Sequence, residues 1–155
     1  MRKARAKKRI LIADPRYNDV MITKFVNNMM MNGKKNLAFD IFYQAMDLVE
    51  ARTKENGLEV FKAAIENVTP AVEVRSRRVG GATFQIPREV RPERKLSLAI
   101  KWMIDFARKR NEKSMSEKLA GEIIAGSKEE GGAFKKKADT HKMAAANKAF
   151  SHFRF

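Results

Sequence analysis

The sequence contains no cysteine, and only two histidines, one tryptophan, two tyrosines and four prolines in 155 residues. Without thiols there are no disulfide staples, thiolate zinc sites or cysteine nucleophiles, and nothing asks for an oxidising compartment, so the expected location is the cytoplasm. His141 and His152 both lie in a basic tail with no HExxH or comparable ligand spacing, so neither a metal nor any other cofactor is expected. Long apolar runs are also missing. The basic start is followed only by Ile10, Leu11, Ile12 and Ala13 before Asp14-Pro15, too short for a secretory apolar region, and no later run reaches membrane-spanning length. A chain with no membrane partner is expected.

The scarce charge is acid: 18 Asp and Glu stand against 33 Lys and Arg, for a net +15. That excess exceeds what solubility needs and implies a polyanionic partner, with nucleic acid the leading candidate. Leu, Ile, Val and Phe together number 36 of 155 residues, enough for a modest core in one domain. The cations are clustered. Residues 1–9 carry +6 with no acid, 73–95 carry +4, 108–113 carry +3 and 134–155 carry +5, leaving −3 for everything else. A solvated surface spreads its excess, whereas a polyanion-binding surface concentrates it.

Periodicity predicts a mainly α protein: a single six-helix domain with a protruding two-stranded β-hairpin and a disordered basic N-terminal arm. The arm covers residues 1–12 and the helical domain 13–155. A first helix runs from a cap at Asn18-Asp19 to Gly33, with Val20, Ile22, Phe25, Val26, Met29 and Met30 at helical spacing. A second is capped by Asn36 and ends near Gly57, and a third runs from Leu58 until Pro70 stops it. Over residues 71–90 the spacing changes to alternation around Gly80-Gly81, which predicts strand, tight turn, strand. Pro87 restricts that pair to a ribbon or a sheet edge. Leu96, Ile100, Met103 and Ala107 mark a fourth helix opening at Pro92 and ending near Arg110. Ser114 and Glu117 form a capping box for a fifth, stopping by Gly131-Gly132, and a sixth spans Phe134 to about Phe150. No strand-helix alternation exists to build a doubly wound nucleotide-binding fold.

Catalytic patterns are thin. Asn32-Gly33-Lys34-Lys35 has Asn28 where a phosphate loop needs its first glycine, and Asp139 and His141, two apart on a helix, point away from each other. Binding patterns are stronger, because each basic segment is a different device for meeting phosphates. Arg2, Lys3, Arg5, Lys7, Lys8 and Arg9 could thread a groove, or merely solubilise the chain. Arg75, Arg77 and Arg78 could clamp RNA, or pair across the hairpin with Glu73 and Glu89. Arg91, Arg94 and Lys95 open a helix where acids are preferred, which an external anion would repair. Lys135, Lys136 and Lys137, with Lys142 further along, could line a phosphate or form a wet helix face. Arg108, Lys109 and Arg110 suit a helix C-terminus anyway, with Lys113 just beyond. Trp102, flanked by Leu98 and Phe106, and the Met29-Met30-Met31 run read as packing. Phe150, Phe153 and Phe155 could dock on protein or RNA.

The stretch NVTPAVEVRSRRVGGATFQIPREVR over residues 67–91 closely resembles the bacterial ribosomal protein seven family of the small subunit. The resemblance continues through ARKR at 107–110, KSM at 113–115, KKADTHKM at 136–143, ANKAF at 146–150, GKK at 33–35 and Asp14-Pro15. It implies a structural, non-catalytic protein that binds the 3′ major domain of small-subunit ribosomal RNA and organises the head. It places ribosomal RNA contacts on the arm, Lys34, Lys35, Arg75, Arg91, Arg94, Lys95, Lys113 and Lys136, and sets Arg77, Arg78, Val79, Gly80 and Gly81 near exit-site transfer RNA and the messenger path. It implies small-subunit protein number eleven as a neighbour, and no homo-oligomer is expected. Ala13 departs from the proline often found before Asp14-Pro15, and the arm's order of bases looks particular to this chain. Two other classes compete: a DNA-packaging protein, which would bind random duplex as well as structured RNA, and an RNA-modifying enzyme, which would need a pocket of coupled titrating groups.

Overall fold

The computed structural model describes residues 9–153. The arm cations Arg2, Lys3, Arg5, Lys7 and Lys8, together with Arg154 and Phe155, lie outside the described residues. Among the described residues there are six α-helices and one two-stranded antiparallel ribbon: α1 (Val20–Met29), α2 (Lys35–Thr53), α3 (Gly57–Val68), β1 (Val72–Val79), β2 (Ala82–Glu89), α4 (Pro92–Arg108), α5 (Met115–Ser127) and α6 (Gly131–Ala146), followed by a 3-10 turn over Lys148–Phe153.

Local chemistry accounts for most helix starts. The Asp19 carboxylate accepts from the Met21 amide at 2.8 Å and caps α1, while Lys62 of α3 meets its other oxygen at 2.8 Å. The hydrogen bond to Lys62 holds the Asp19 carboxyl below the usual carboxylate range. Asn56 caps α3 through Leu58, and Ser114 and Glu117 close the predicted capping box of α5. Helix ends depart from the sequence reading. Helix α1 stops at Met29, where Met30 leaves helical geometry with ψ of 135°, and Asn32 and Gly33 then take positive φ and turn the chain before α2. Helix α2 starts one residue ahead of Asn36, with Lys34 at the N-cap and no side-chain cap, and it ends at Thr53 through Lys54 in the left-handed conformation. Gly131 belongs to α6 and not to the end of α5: the chain reverses over residues 128–130, and α6 ends at Ala146 before the 3-10 turn.

Helix α5 is the hub, packed against α2, α3, α4 and α6. Gly126 faces Ala64 and Val68 of α3 and Met103 of α4 across this packing. The core is anchored by Phe25, Phe42 and Phe61, all fully buried, whose ring centroids lie 5.2 to 5.5 Å apart in tilted and edge-on pairs. Trp102 is partly buried against the same core. Asp14 is 1% exposed beneath the entry to α1: it accepts from the Arg16 and Tyr17 amides at 3.1 and 2.8 Å and from the Tyr43 hydroxyl at 2.5 Å. Burial first, then that bond to Asp14, pushes the Tyr43 phenol up to about 12.

Candidate nucleic-acid interface

The ribbon pairs Val72 with Glu89 at its base and Val79 with Ala82 at its tip. Gly80 and Gly81 take φ of +57° and +88°, which suits the two-residue turn whose twist matches paired strands. Its base is tied to the body and its turn projects beyond Phe84. Ile86, Pro87 and Val90 are buried, the Val90 amide donates to Ala71, and the Ala71 amide donates to Nε2 of His141 on α6 at 3.1 Å. Phe84 of β2 packs on Phe150 of the 3-10 turn at 5.0 Å between ring centroids. From Arg75 to Arg78, β1 is exposed. Alternation sets Arg75 and Arg77 on one face and Arg78 on the other, so the tip carries cations on both sides.

One of the two carboxylates that could have neutralised this strand is used elsewhere: Glu73 pairs with Nε of Arg94 on α4 at 2.8 Å. That contact joins the ribbon to the head of α4 and gives one of its three cations an internal partner. Arg91 at the N-cap makes no side-chain cap, and Glu93 supplies the one acid of the first turn. On α6, the Nζ of Lys137 donates to the Asn67 carbonyl at 2.7 Å, while Lys135, Lys136 and Lys142 are exposed. Burial and the nearby Lys137 push the His141 imidazole below its usual range, which keeps Nε2 free to accept from Ala71.

The segment after α4 is largely engaged within the molecule. Arg108 donates to the Met29 carbonyl at 3.2 Å, Lys109 lies 5.0 Å over the Phe106 ring, and Arg110 bridges Glu112 at 2.8 Å and buried Glu122 at 3.1 Å. Burial opposes the Arg110 charge, but the bonds to Glu112 and Glu122 outweigh it and hold its pKa above the ordinary value. Lys113 remains exposed. Lys113, Arg108 and Lys34 share one place with Lys118: the rim of a cavity of about 590 Å³ between the end of α1, the start of α2 and the α4–α5 junction. Lys118 is the member that sequence reading missed, because on a helical wheel it is one more surface lysine. Lys35, next to Lys34, lies over Phe39.

Arg9, Arg75, Arg78, Arg91, Lys113, Lys135, Lys136 and Lys142 are exposed, and none is held by a carboxylate among the described residues. Among those residues no three His, Asp or Glu side chains gather as a metal site, and no helix is long and apolar enough to cross a membrane. A helical hub that presents unpaired cations from a ribbon, a helix start and a helix face belongs to the class of proteins that hold nucleic acid from several sides.

The model of the ribosomal protein S7p/S5e family matches residues 1–148. The chain is 63% identical to the small ribosomal subunit protein uS7 of Cytophaga hutchinsonii and 62% identical to that of Flavobacterium psychrophilum, in each case over the whole of both chains. It is 62% identical to the counterpart in Amoebophilus asiaticus over 99% of each. The chain belongs to the S7p/S5e family, and is therefore a ribosomal protein that binds RNA and serves in translation.

Proposed function

We propose that this protein is a primary binder of the 3′ major domain of small-subunit ribosomal RNA, where it organises the head of the subunit without catalysing a reaction. The observation that carries this reading is the set of exposed cations left without carboxylates on the β1 strand, at the head of α4 and along α6. Arg75, Arg91, Lys95, Lys113, Lys135, Lys136 and Lys142, with Lys34, Lys35 and the arm, meet phosphates of separate strands. Arg94, Arg110 and Lys137 mainly brace the body through Glu73, Glu122 and the Asn67 carbonyl, as do Arg108 and Lys109 through Met29 and Phe106. The hairpin turn with Arg77, Arg78, Val79, Gly80 and Gly81 lies beside exit-site transfer RNA and the messenger, and small-subunit protein number eleven is the neighbour at hairpin and tail. The protein works in the cytoplasm, inside the ribosome.

Two measurements test this. A structured fragment of the 3′ major domain should displace random duplex DNA from the protein at matched salt, and equal affinities would remove the reading in favour of DNA packaging. Arg77→Ala with Arg78→Ala should leave incorporation into subunits intact and weaken transfer RNA retention, whereas deleting residues 2–9 should impair incorporation. The opposite pattern would refute the division of labour.

A further inference from the structure

The cavity between α1, α2 and the α4–α5 junction is unlike the other cationic surfaces. Its walls are apolar: Met29, Met30, Met31, Leu37, Ile41 and Met115. Its rim is basic, with Lys34, Arg108, Lys113 and Lys118 and no carboxylate among the lining residues. Met31 and Leu37 are 65% and 53% exposed, an apolar cost that a phosphate-binding surface alone does not need. The rim is also fixed in place, since Arg108 holds the Met29 carbonyl and Lys118 reaches the Arg108 carbonyl at 3.5 Å. At about 590 Å³ it is in the size range of sites that enclose a small planar ligand.

We propose that this cavity receives one unstacked nucleobase of the structured RNA, with the flanking phosphates on Lys34, Lys113 and Lys118. The proposal rests on the RNA-binding reading above and adds a base contact to it. A flat, polarisable base edge-bounded by phosphates matches both halves of the site: unbranched methionines adapt to either face of a ring, and the cation rim takes the backbone that must bend to splay the base out. An acidic, apolar peptide is the competing occupant, but four cations with no carboxylate line this one cavity, and the RNA that the proposed function already brings to the protein carries phosphates on both sides of every base.

The test uses the full chain and a transcribed 3′ major-domain fragment. Met31→Ala with Leu37→Ala, both at exposed positions, should lower affinity by about tenfold with no change in the slope of log affinity against log salt. In base-specific chemical probing, one base protected by the unaltered protein should become reactive. Lys34→Gln with Lys113→Gln should instead flatten the salt slope by about two phosphate contacts, roughly 1.5 units. Unchanged affinity and unchanged protection with the apolar variant overturn the base pocket and leave the RNA reading standing, as long as the lysine variant still flattens the slope. If neither variant has an effect, RNA binding on this face fails as well. Normal RNA binding by the apolar variant combined with poor incorporation into subunits assigns the cavity to a protein side chain and likewise overturns the proposal.

Discussion

Replacing Glu122 with alanine removes one of the few buried carboxylates and tests how α6 is held in place. Glu122 is 1% exposed; one oxygen accepts from the Ala133 amide at 2.9 Å and the other from Arg110 at 3.1 Å. Three contributions decide the size of the effect. The Ala133 amide, buried in the first turn of α6, loses its acceptor, at about 1–3 kcal/mol. The vacated methylene and carboxylate leave a small void worth about 1 kcal/mol. Arg110 keeps Glu112 at 2.8 Å and is partly exposed, so the 3–5 kcal/mol typical of an abandoned buried charge does not apply in full. The total is about 3 kcal/mol, or roughly 6–12 °C in Tm for a chain of this size. Glu122→Gln keeps one oxygen to accept from Ala133 and fills the space, but it turns its NH2 towards Arg110 and so loses that charged hydrogen bond, which Arg110 replaces in part through Glu112; its cost should be smaller than that of alanine. Urea unfolding followed by far-ultraviolet circular dichroism measures both, with the slope against denaturant expected to stay constant. An alanine variant within about 0.5 kcal/mol of the parent, or a glutamine variant as damaged as the alanine one, would falsify the account. Because Lys135 and Lys136 follow Ala133 on the same helix, RNA affinity should drop with the alanine variant too.

Gly132→Ala should destabilise by about 1–3 kcal/mol, because its Cβ would fall 2.3 Å from the Phe106 ring; Phe106→Leu in the same chain should recover part of the loss in a double-mutant cycle by urea midpoint. The His141 imidazole accepts from Ala71 only when neutral, and its pKa is held below the ordinary value by burial and Lys137. The unfolded chain then binds the extra proton first, so stability should be constant at neutral pH and fall as pH drops below about 6.5; unfolding midpoints from pH 7.5 to 5 should show the decline, and His141→Gln should flatten the part that belongs to this group.

The hairpin could be read from the sequence because its signals agree: alternation on both sides, a Gly-Gly turn and a proline tolerated on an edge. The capping box at Ser114 and Glu117 and the apolar stripes were legible for the same reason, as local chemistry that acts within a few residues. The helix ends were not. Lys54 ends α2 in a left-handed conformation with no glycine, and Gly132 sits inside α6 because the Phe106 ring, far away in sequence, fills the space a side chain would need. Both depend on tertiary contacts that no local pattern carries. The candidate interface divides along the same line. Exposed lysines and arginines could be named from charge runs, but Arg110 and Lys137 resemble their neighbours in sequence and differ only in reaching Glu122 and the Asn67 carbonyl. Lys118 and the methionine walls come together only once α1, α2 and α5 are packed.

The ribbon is braced near its turn by Phe150, which packs on Phe84 opposite Arg77 and follows it in the chain by the whole of α4, α5 and α6. During synthesis the two strands emerge well before that brace, and a lone pair of strands is barely stable in water. The cationic tip is therefore steadied last, after the helical body that precedes the 3-10 turn has been made. A chain broken off within α6 would retain its arginines but present them on a loosely hinged lever, so the order of translation itself delays a firm grip until nearly all of the molecule exists.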